Sequence, residues 1–352
     1  MSLLFSDGFD LYNSIPNKGW TFVGSFGSNG SFQFSVGRIG TGQALQVNKG
    51  NANGPGAGAV NNLGVNKTTL IMGCAWNNLS YTLPERIFGF QDAGTEQLSG
   101  RIDSTNRLQV VRNGTVLATE TAATMSLNTW YYIELKVTFS GTTGSYALRR
   151  NGAVVAGIPD ATGVNTIGTA NAFANQIAVM AVNGNVNPGS MAFDDLYLCD
   201  NAGTVNNDFL GDIRVLGQLP NAAGTPATTF NKFGAAATNW QSVNDNPNDG
   251  DTTYVASSTV GNSETYKYPA LPGNTTRVLA VVGTPIARKD DAGGRSLAAH
   301  VRSGTVEADG PSSALSTTYA IYEQVMETNP VTGAAWDVPT FNAAEFGPKL
   351  AA

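Results

Sequence analysis

The chain has 352 residues, of which 13% are charged, with a net charge of −6, 41 glycines and two cysteines. That length admits two or three domains, each with its own core, and a charged fraction well below the roughly one quarter of an average soluble domain excludes a helical bundle, whose solvent faces need Glu, Lys and Arg. The negative balance disfavours nucleic acid as a partner, since phosphate binding needs a concentrated basic surface.

The opening MSLLFSDGFD has no basic stretch and reaches an acid at Asp7, so it is not read as a secretory signal. No apolar run approaches the roughly 18 residues of a membrane span, and no membrane partner is expected. Strands are predicted at 19–26, 43–49, 68–76 and 86–91, each a short apolar or alternating run bounded by turn residues. Asn-Gly pairs at Asn29, Asn53, Asn113, Asn151 and Asn183 mark turns. The frames LQVVRNGTVLATE and YALRRNGAVVAGI, around Asn113 and Asn151, read as hairpins, because Asn-Gly supplies the two positive-φ residues of a type I′ turn. Between them, WYYIELKVTF alternates strictly. Tyr131, Ile133, Leu135, Val137 and Phe139 share one face, and Trp130, Tyr132, Glu134, Lys136 and Thr138 share the other. That period of two predicts a half-buried strand. Further strands are predicted at 176–182 and 191–199. Cys74 and Cys199 sit in apolar strand-like runs and are read as buried free thiols, with a single disulfide as the alternative.

The composition changes after Cys199. Residues 201–220 read as a linker, apart from a short extended piece at 212–216, and separate a first β domain (1–200) from a second β-sandwich domain (221–352). The second domain is assigned strands at 276–288, 296–307 and 317–327, with 277–282 apolar enough for burial on both faces. Asn329-Pro330-Val331-Thr332-Gly333 has the Pro and Gly placement of a turn. The fold class is therefore all-β, two β-sandwich domains.

The Trp-led strand WYYIELKVTF, the GTTG turn, the Asn-Gly hairpin before VVAG and the closing FDDLYLCD resemble the concanavalin A-like lectin/glucanase superfamily, over about residues 1–200. The resemblance implies a jelly roll for the first domain. A narrower similarity covers FDDLYLCDNAGTVNNDFLGDIRV, DTTYV at 251–255 and the tail NPVTGAAWDVPTFNAAEFGPKL. These resemble virion proteins of tailed bacteriophages, typically encoded beside tail or fibre genes. They imply a structural or adhesive role on a particle surface, with lysis as the route out of the cell.

No catalytic, cofactor-binding or metal residue is assigned. A glycosidase needs two carboxylates at a set separation, but Glu134 stands alone on its strand, and Glu85 and Glu96 flank segments of turn character. Glu323 and Glu327 read as a solvated strand face. His300 is the sole histidine and, with no G-x-S-x-G elbow in the chain, reads as structural or surface. Asp7, Asp10, Asp194 and Asp195 would meet if the first and last strands of the first domain pair. They then either satisfy turn amides, the preferred reading, or hold a calcium ion. The run DNPNDGD at 245–251 reads as a turn, since Pro247 and Ala256 stand where a calcium loop needs ligands. Of the five tryptophans, Trp20, Trp76, Trp130, Trp240 and Trp336, Trp76 is placed in the core, and Trp130 beside Tyr132 is the fairer candidate for stacking on a sugar. The expected function is a non-enzymatic virion structural protein, a tail fibre, spike or head decoration. Its partners would be other virion proteins, copies of itself (a homo-oligomer, trimer preferred) and a host-surface glycan. The alternative is a glycan-active enzyme that degrades host polysaccharide.

Overall fold

The computed structural model describes residues 2–13, 18–24, 31–49, 57–80, 85–179, 189–226 and 229–352. The Asn-Gly pairs at Asn29, Asn53 and Asn183 lie outside the described residues. The protein is almost entirely β, and its contacts divide it into a unit ending at Leu216 and a unit of Gly217–Ala352 together with Leu11–Asn13.

The first unit is a sandwich of two antiparallel sheets. Among the described residues, the first sheet runs Ala153–Val154, Gly144–Arg150, Trp130–Thr138, Thr69–Asn78, Gly189–Cys199, Gln43–Lys49, Ser31–Val36. Leu3–Asp7 also pairs with Gly189–Cys199, and Ala161–Val164 with Gly144–Arg150. The second sheet runs Thr115–Thr119, Leu108–Arg112, Thr95–Ile102, Glu85–Asp92, Ala174–Val179, Ala57–Lys67, Trp20–Gly24. The chain crosses between the sheets several times, as in a jelly roll, and the runs 85–119 and 130–154 each stay in one sheet as hairpins. Apolar side chains at alternate positions interlock between the layers: Ile133, Leu135 and Val137 from the first sheet, and Phe88, Phe90, Leu98 and Ile177 from the second, are fully buried. Phe90 meets Phe139 edge-on at 5.7 Å. Trp76 is buried with Leu70, Met72 and Cys74, as its strand face predicts.

Both hairpins form at their Asn-Gly pairs, with φ of +39° and +87° at Asn113 and Gly114, and +51° and +78° at Asn151 and Gly152. Cys74 and Cys199 are buried free thiols. Burial pushes the Cys74 thiol far above its ordinary range. Two expectations fail. The polar face of Trp130–Thr138 is not solvated, since Tyr132 and Glu134 are each 1% exposed. The reason lies in residues 208–216. The piece of the expected linker up to Leu216 belongs to the first unit and crosses over that face.

In the second unit, a sheet runs Ala222–Ala223, Tyr266–Lys267, Ala344–Leu350, Ser296–Ser303, Val306–Ala314. The ribbon of Val281–Gly283 with Gln324–Met326 supplies a second layer. Ala299, Val301, Met326, Trp336 and Ala344 form the core, with Val281, Phe341 and Phe346 against it. Strand 296–307 is broken, because Ser303 and Val306 pair across a turn that Gly304 makes at φ +63°. The apolar run 277–282 is not a central strand. Only Val281–Gly283 and Ile286–Ala287 pair, on either side of Pro285, which has no N–H for a ladder. Glu327 is buried rather than on a solvated strand face, and it follows directly after the ribbon strand Gln324–Met326. The short helix Val338–Ala343 starts at a capping box in which the Asp337 carboxylate accepts from Thr340 N.

Candidate functional site

Glu134, Gly73 and Tyr197 stand in one row across three adjacent strands of the first sheet, on the face turned away from the core. Tyr132, Ala75 and Asp194 form the next row. With no side chain at Gly73, the Tyr197 ring lies flat across the strand. Its hydroxyl donates to Glu134 Oε1 at 2.5 Å. A Cβ at Gly73 would stand 2.3 Å from Tyr197 Cε1, so only glycine fits. Tyr132 stacks beside Tyr197 at 6.5 Å and donates to the Asp195 carbonyl. Between Asp194 and Tyr197 the strand bulges, and Asp195 takes φ +50°. The extra residue re-aims the two aspartates to different partners.

Across this face lies an extended strap, residues 208–215, which belongs to no sheet. Gly211 N donates to Glu134 Oε1 at 2.8 Å, Leu210 N donates to the Tyr197 hydroxyl at 3.1 Å, and Val215 N donates to Asp195 Oδ1 at 2.7 Å. Arg38, nearly buried, donates to Asp195, Asp212 and the Ile213 carbonyl, and its guanidinium sits 5.1 Å from the Tyr132 ring. Arg214 also pairs with Asp195. At the strap's other end, Lys136 pairs with Asp208 and Arg149 stacks on Phe209. An extended chain without a ladder satisfies its buried amides on other groups, and here two buried carboxylates and the Tyr197 hydroxyl do so.

Burial raises the Glu134 carboxyl above its ordinary range, while the bonds from Tyr197 and Gly211 pull the other way. Burial also raises both tyrosines, which keeps them hydrogen-bond donors. Asp194 is pushed up to about 8 by burial and by the Asp195 charge, and Asp195 to about 6 by burial opposed by Arg38. A carboxyl raised in the fold binds its proton more tightly there than in the unfolded chain. Its contribution is therefore complete below about pH 4 and is lost as pH rises through the folded value. Asp194→Asn replaces one of two accepting oxygens with a donor and is expected to be less stable than the parent by about 2 kcal/mol at pH 5, with the gap narrowing by pH 9 because only the parent loses stability as pH rises. Urea unfolding at the two pH values reads the difference, and parallel curves for parent and variant would refute it.

The first and last strands of the unit do pair, with Asp7 opposite Leu196. The four aspartates nevertheless go to separate tasks. Asp7 accepts from Phe9 N and the Trp20 indole, Asp10 from Gln43 N, and Asp194 from Arg38 N and Asp195 N. This is the turn-amide reading. Among the described residues, no three His, Cys, Asp or Glu side chains are grouped to hold a metal. His300 is buried in the second unit, its Nδ1 2.7 Å from Asp309. Trp130 is partly buried at the edge of the strapped face, and Trp336 is core. Sequence reasoning missed Arg38, Tyr197 and the strap. Arg38 sits alone between glycines, and the strap has neither period.

The outward face of the second sheet is also polar. Glu85 and Glu96 lie in strands, not turns, and Glu96 is buried in an ion pair with Arg86. Asn62, Gln176, Gln91 and Glu96 form one row across four strands. A cleft of about 470 Å³ lies at the Asn62 end, lined by Asn62, Val65, Asn66, Asn175 and Gln176 with the turn at Ala93.

No protein-family model matches the chain, and no curated protein matches its sequence. Several solved structures are similar to part of the chain at low identity. The alginate lyase Aly36B is 13% identical, with 56% of this chain and 95% of that one covered, at a TM-score of 0.41. The catalytic domain of a glycoside hydrolase family 131 protein from Coprinopsis cinerea is 12% identical over 60% and 99%, at 0.40. Lectin UEA-II, in complex with galactose, is 10% identical over 55% and 98%, at 0.37. No residue role is carried over from any of them.

Proposed function

We propose that this chain is a non-enzymatic structural and binding protein of a virion surface, as a tail fibre, spike or head decoration. It acts by assembling with copies of itself, a trimer preferred, and with other virion proteins, and by contacting a host-surface glycan. The observation that carries the non-enzymatic part is the strap. Glu134, Asp194, Asp195 and Tyr197 are the groups of this face best suited to acid–base work, and all four are spent on the chain's own backbone or on one another. A general acid or base must reach a substrate proton, and these are covered. The similarity of 193–215 to phage structural proteins supports the particle assignment, and that run includes both the bulge and the strap.

One observation favours the alternative of a glycan-active enzyme. Glu134 and Tyr197 form a short, buried acid pair that would serve proton transfer with the strap displaced. Two experiments decide. Cryo-electron microscopy and mass spectrometry of purified particles are expected to find the chain as a stoichiometric surface component, and its absence from particles would end the virion reading. Incubation with host capsule or wall polysaccharide is expected to release no new sugar ends, and release abolished by Glu134→Gln would establish the enzyme instead.

A further inference from the structure

We propose that two copies of this chain join edge to edge through Ser31–Val36, as an antiparallel pair with its two-fold axis at Phe34. The proposal rests on the reading of the chain as a self-assembling protein and gives that assembly one contact and its symmetry. Such a contact joins copies two by two, whether single chains or trimers. Among the described residues, Ser31–Val36 ends the first sheet, paired on one side with Gln43–Lys49. Sheet ends are blunted by shortness, bulges, Pro or charge. The opposite end of this sheet is Ala153–Val154, two residues long, and Thr115–Thr119, at one end of the second sheet, is bulged. Ser31–Val36 carries none of these devices. Its register with Gln43–Lys49 is unbroken, and SFQFSV holds no Pro and no charge.

The core also runs out to the surface here. Phe32 and Phe34 stand opposite Val47 and Leu45, both fully buried, so Phe32, Phe34 and Val36 lie on the core face of their strand. Phe22, from the end strand of the second sheet, stacks on Phe32 at 4.4 Å and is still 44% exposed, and Val36 is 67% exposed. Charge and register select the occupant. No Asp or Glu stands between Asp10 and Glu85 in a chain of net charge −6. Of the four cations in that span, Lys18, Arg38 and Lys67 are paired with Asp7, Asp195 and Asp200. Acidic copies that repel one another elsewhere can meet at this flank, and a charged partner finds little here to pair with. Opposite residues of an antiparallel pair share a face of the sheet. With Phe34 on the axis, Phe34 meets its own copy, Phe32 meets the partner's Val36, and Gln33 meets the partner's Ser35. Apolar then opposes apolar on the core face, polar opposes polar on the other, and Val36 is covered. A single segment supplies both halves of the contact.

The test is light scattering and sedimentation on the full chain, where an even number of copies is expected. Gln33→Lys combined with Ser35→Lys sets cations opposite one another across the axis and should halve the mass with an unchanged thermal midpoint. Gln33→Glu combined with Ser35→Lys sets opposite charges together and should keep the mass of the parent. In an equimolar mixture of Gln33→Cys and Ser35→Cys chains under oxidising conditions, the mixed disulfide should form in preference to either like pair. A mass that the two lysine substitutions leave unchanged, halving by both double variants, or like disulfides as frequent as the mixed one would overturn the pairing. A chain that pairs in this way but is absent from particles would remove the virion assignment and leave the edge contact. A particle-borne chain whose copy number is insensitive to the lysine substitutions would remove the edge contact alone.

Discussion

Glu134→Ala is expected to cost the first unit about 4 kcal/mol and to release the strap. The carboxylate takes two donors on one oxygen, the Tyr197 hydroxyl and Gly211 N–H. Removing it leaves both donors buried without an acceptor, at about 1–3 kcal/mol each, and opens a hole under the strap. Glu134→Gln keeps an amide oxygen in the same place and should cost only about 1 kcal/mol. Urea unfolding measures the first effect. Limited proteolysis measures the second, because residues 208–215 should resist cleavage in the parent and be cut in the alanine variant. An alanine variant as stable as the glutamine one would mean that the strap is held by its ends alone, through Asp208–Lys136 and Asp195–Val215.

Gly73→Ala should cost about 3 kcal/mol, although it adds one methyl group to a strand otherwise rich in bulky residues. Overpacking a filled site forces side chains off their rotamers at about 1–3 kcal/mol, and here the displaced group is unusually constrained. The Tyr197 ring sits where the new carbon would go, and its hydroxyl is fixed at the far end by Glu134 and Leu210 N. The strand cannot yield either, since it is paired on both sides along its length. Combining Gly73→Ala with Tyr197→Phe tests the cause. If the ring itself is the obstacle, the phenylalanine will not relieve the cost; if the anchored hydroxyl is, much of it returns. A thermal midpoint for Gly73→Ala equal to that of the parent would show that the ring moves freely.

The sandwich was legible because its signals are local. Asn113-Gly114 and Asn151-Gly152 dictate hairpins by backbone sterics alone, and Leu70, Met72, Cys74 and Trp76 declare a core face by period. The strapped face was not legible, for a definite reason. The polar set Tyr132, Glu134 and Lys136 has the pattern of a solvent face, and alternation cannot say whether water or another piece of chain covers it. The cover consists of main-chain N–H groups, which every residue has and no pattern reveals. The same holds for Arg38, whose partners lie more than 150 positions away. In the second unit, Ser303 and Val306 read as one strand because the turn at Gly304 occupies so few residues. The strand Ala344–Leu350, central in its sheet, contains Gly347 and Pro348 and so carries little strand propensity of its own.

The pairing of Leu3–Asp7 with Gly189–Cys199, and the insertion of the latter beside Thr69–Asn78, sets a timetable for biosynthesis. The middle of the first sheet stays open until a strand almost 200 positions downstream arrives. Contacts of such long sequence separation make folding slow. At about 5–20 residues per second, a ribosome needs on the order of 10–40 s between the first strand and the strap. From its own synthesis until Gly189–Cys199 follows, about 110 residues and on the order of 5–20 s later, Thr69–Asn78, buried on both faces in the finished sheet, has a bare edge exposed to neighbouring nascent chains. Expression at reduced temperature, or with a holdase that shields that edge, should raise the soluble yield. A chain stopped before Gly189 should aggregate, whereas one stopped just after Leu216 has every strand that the first sheet needs to close.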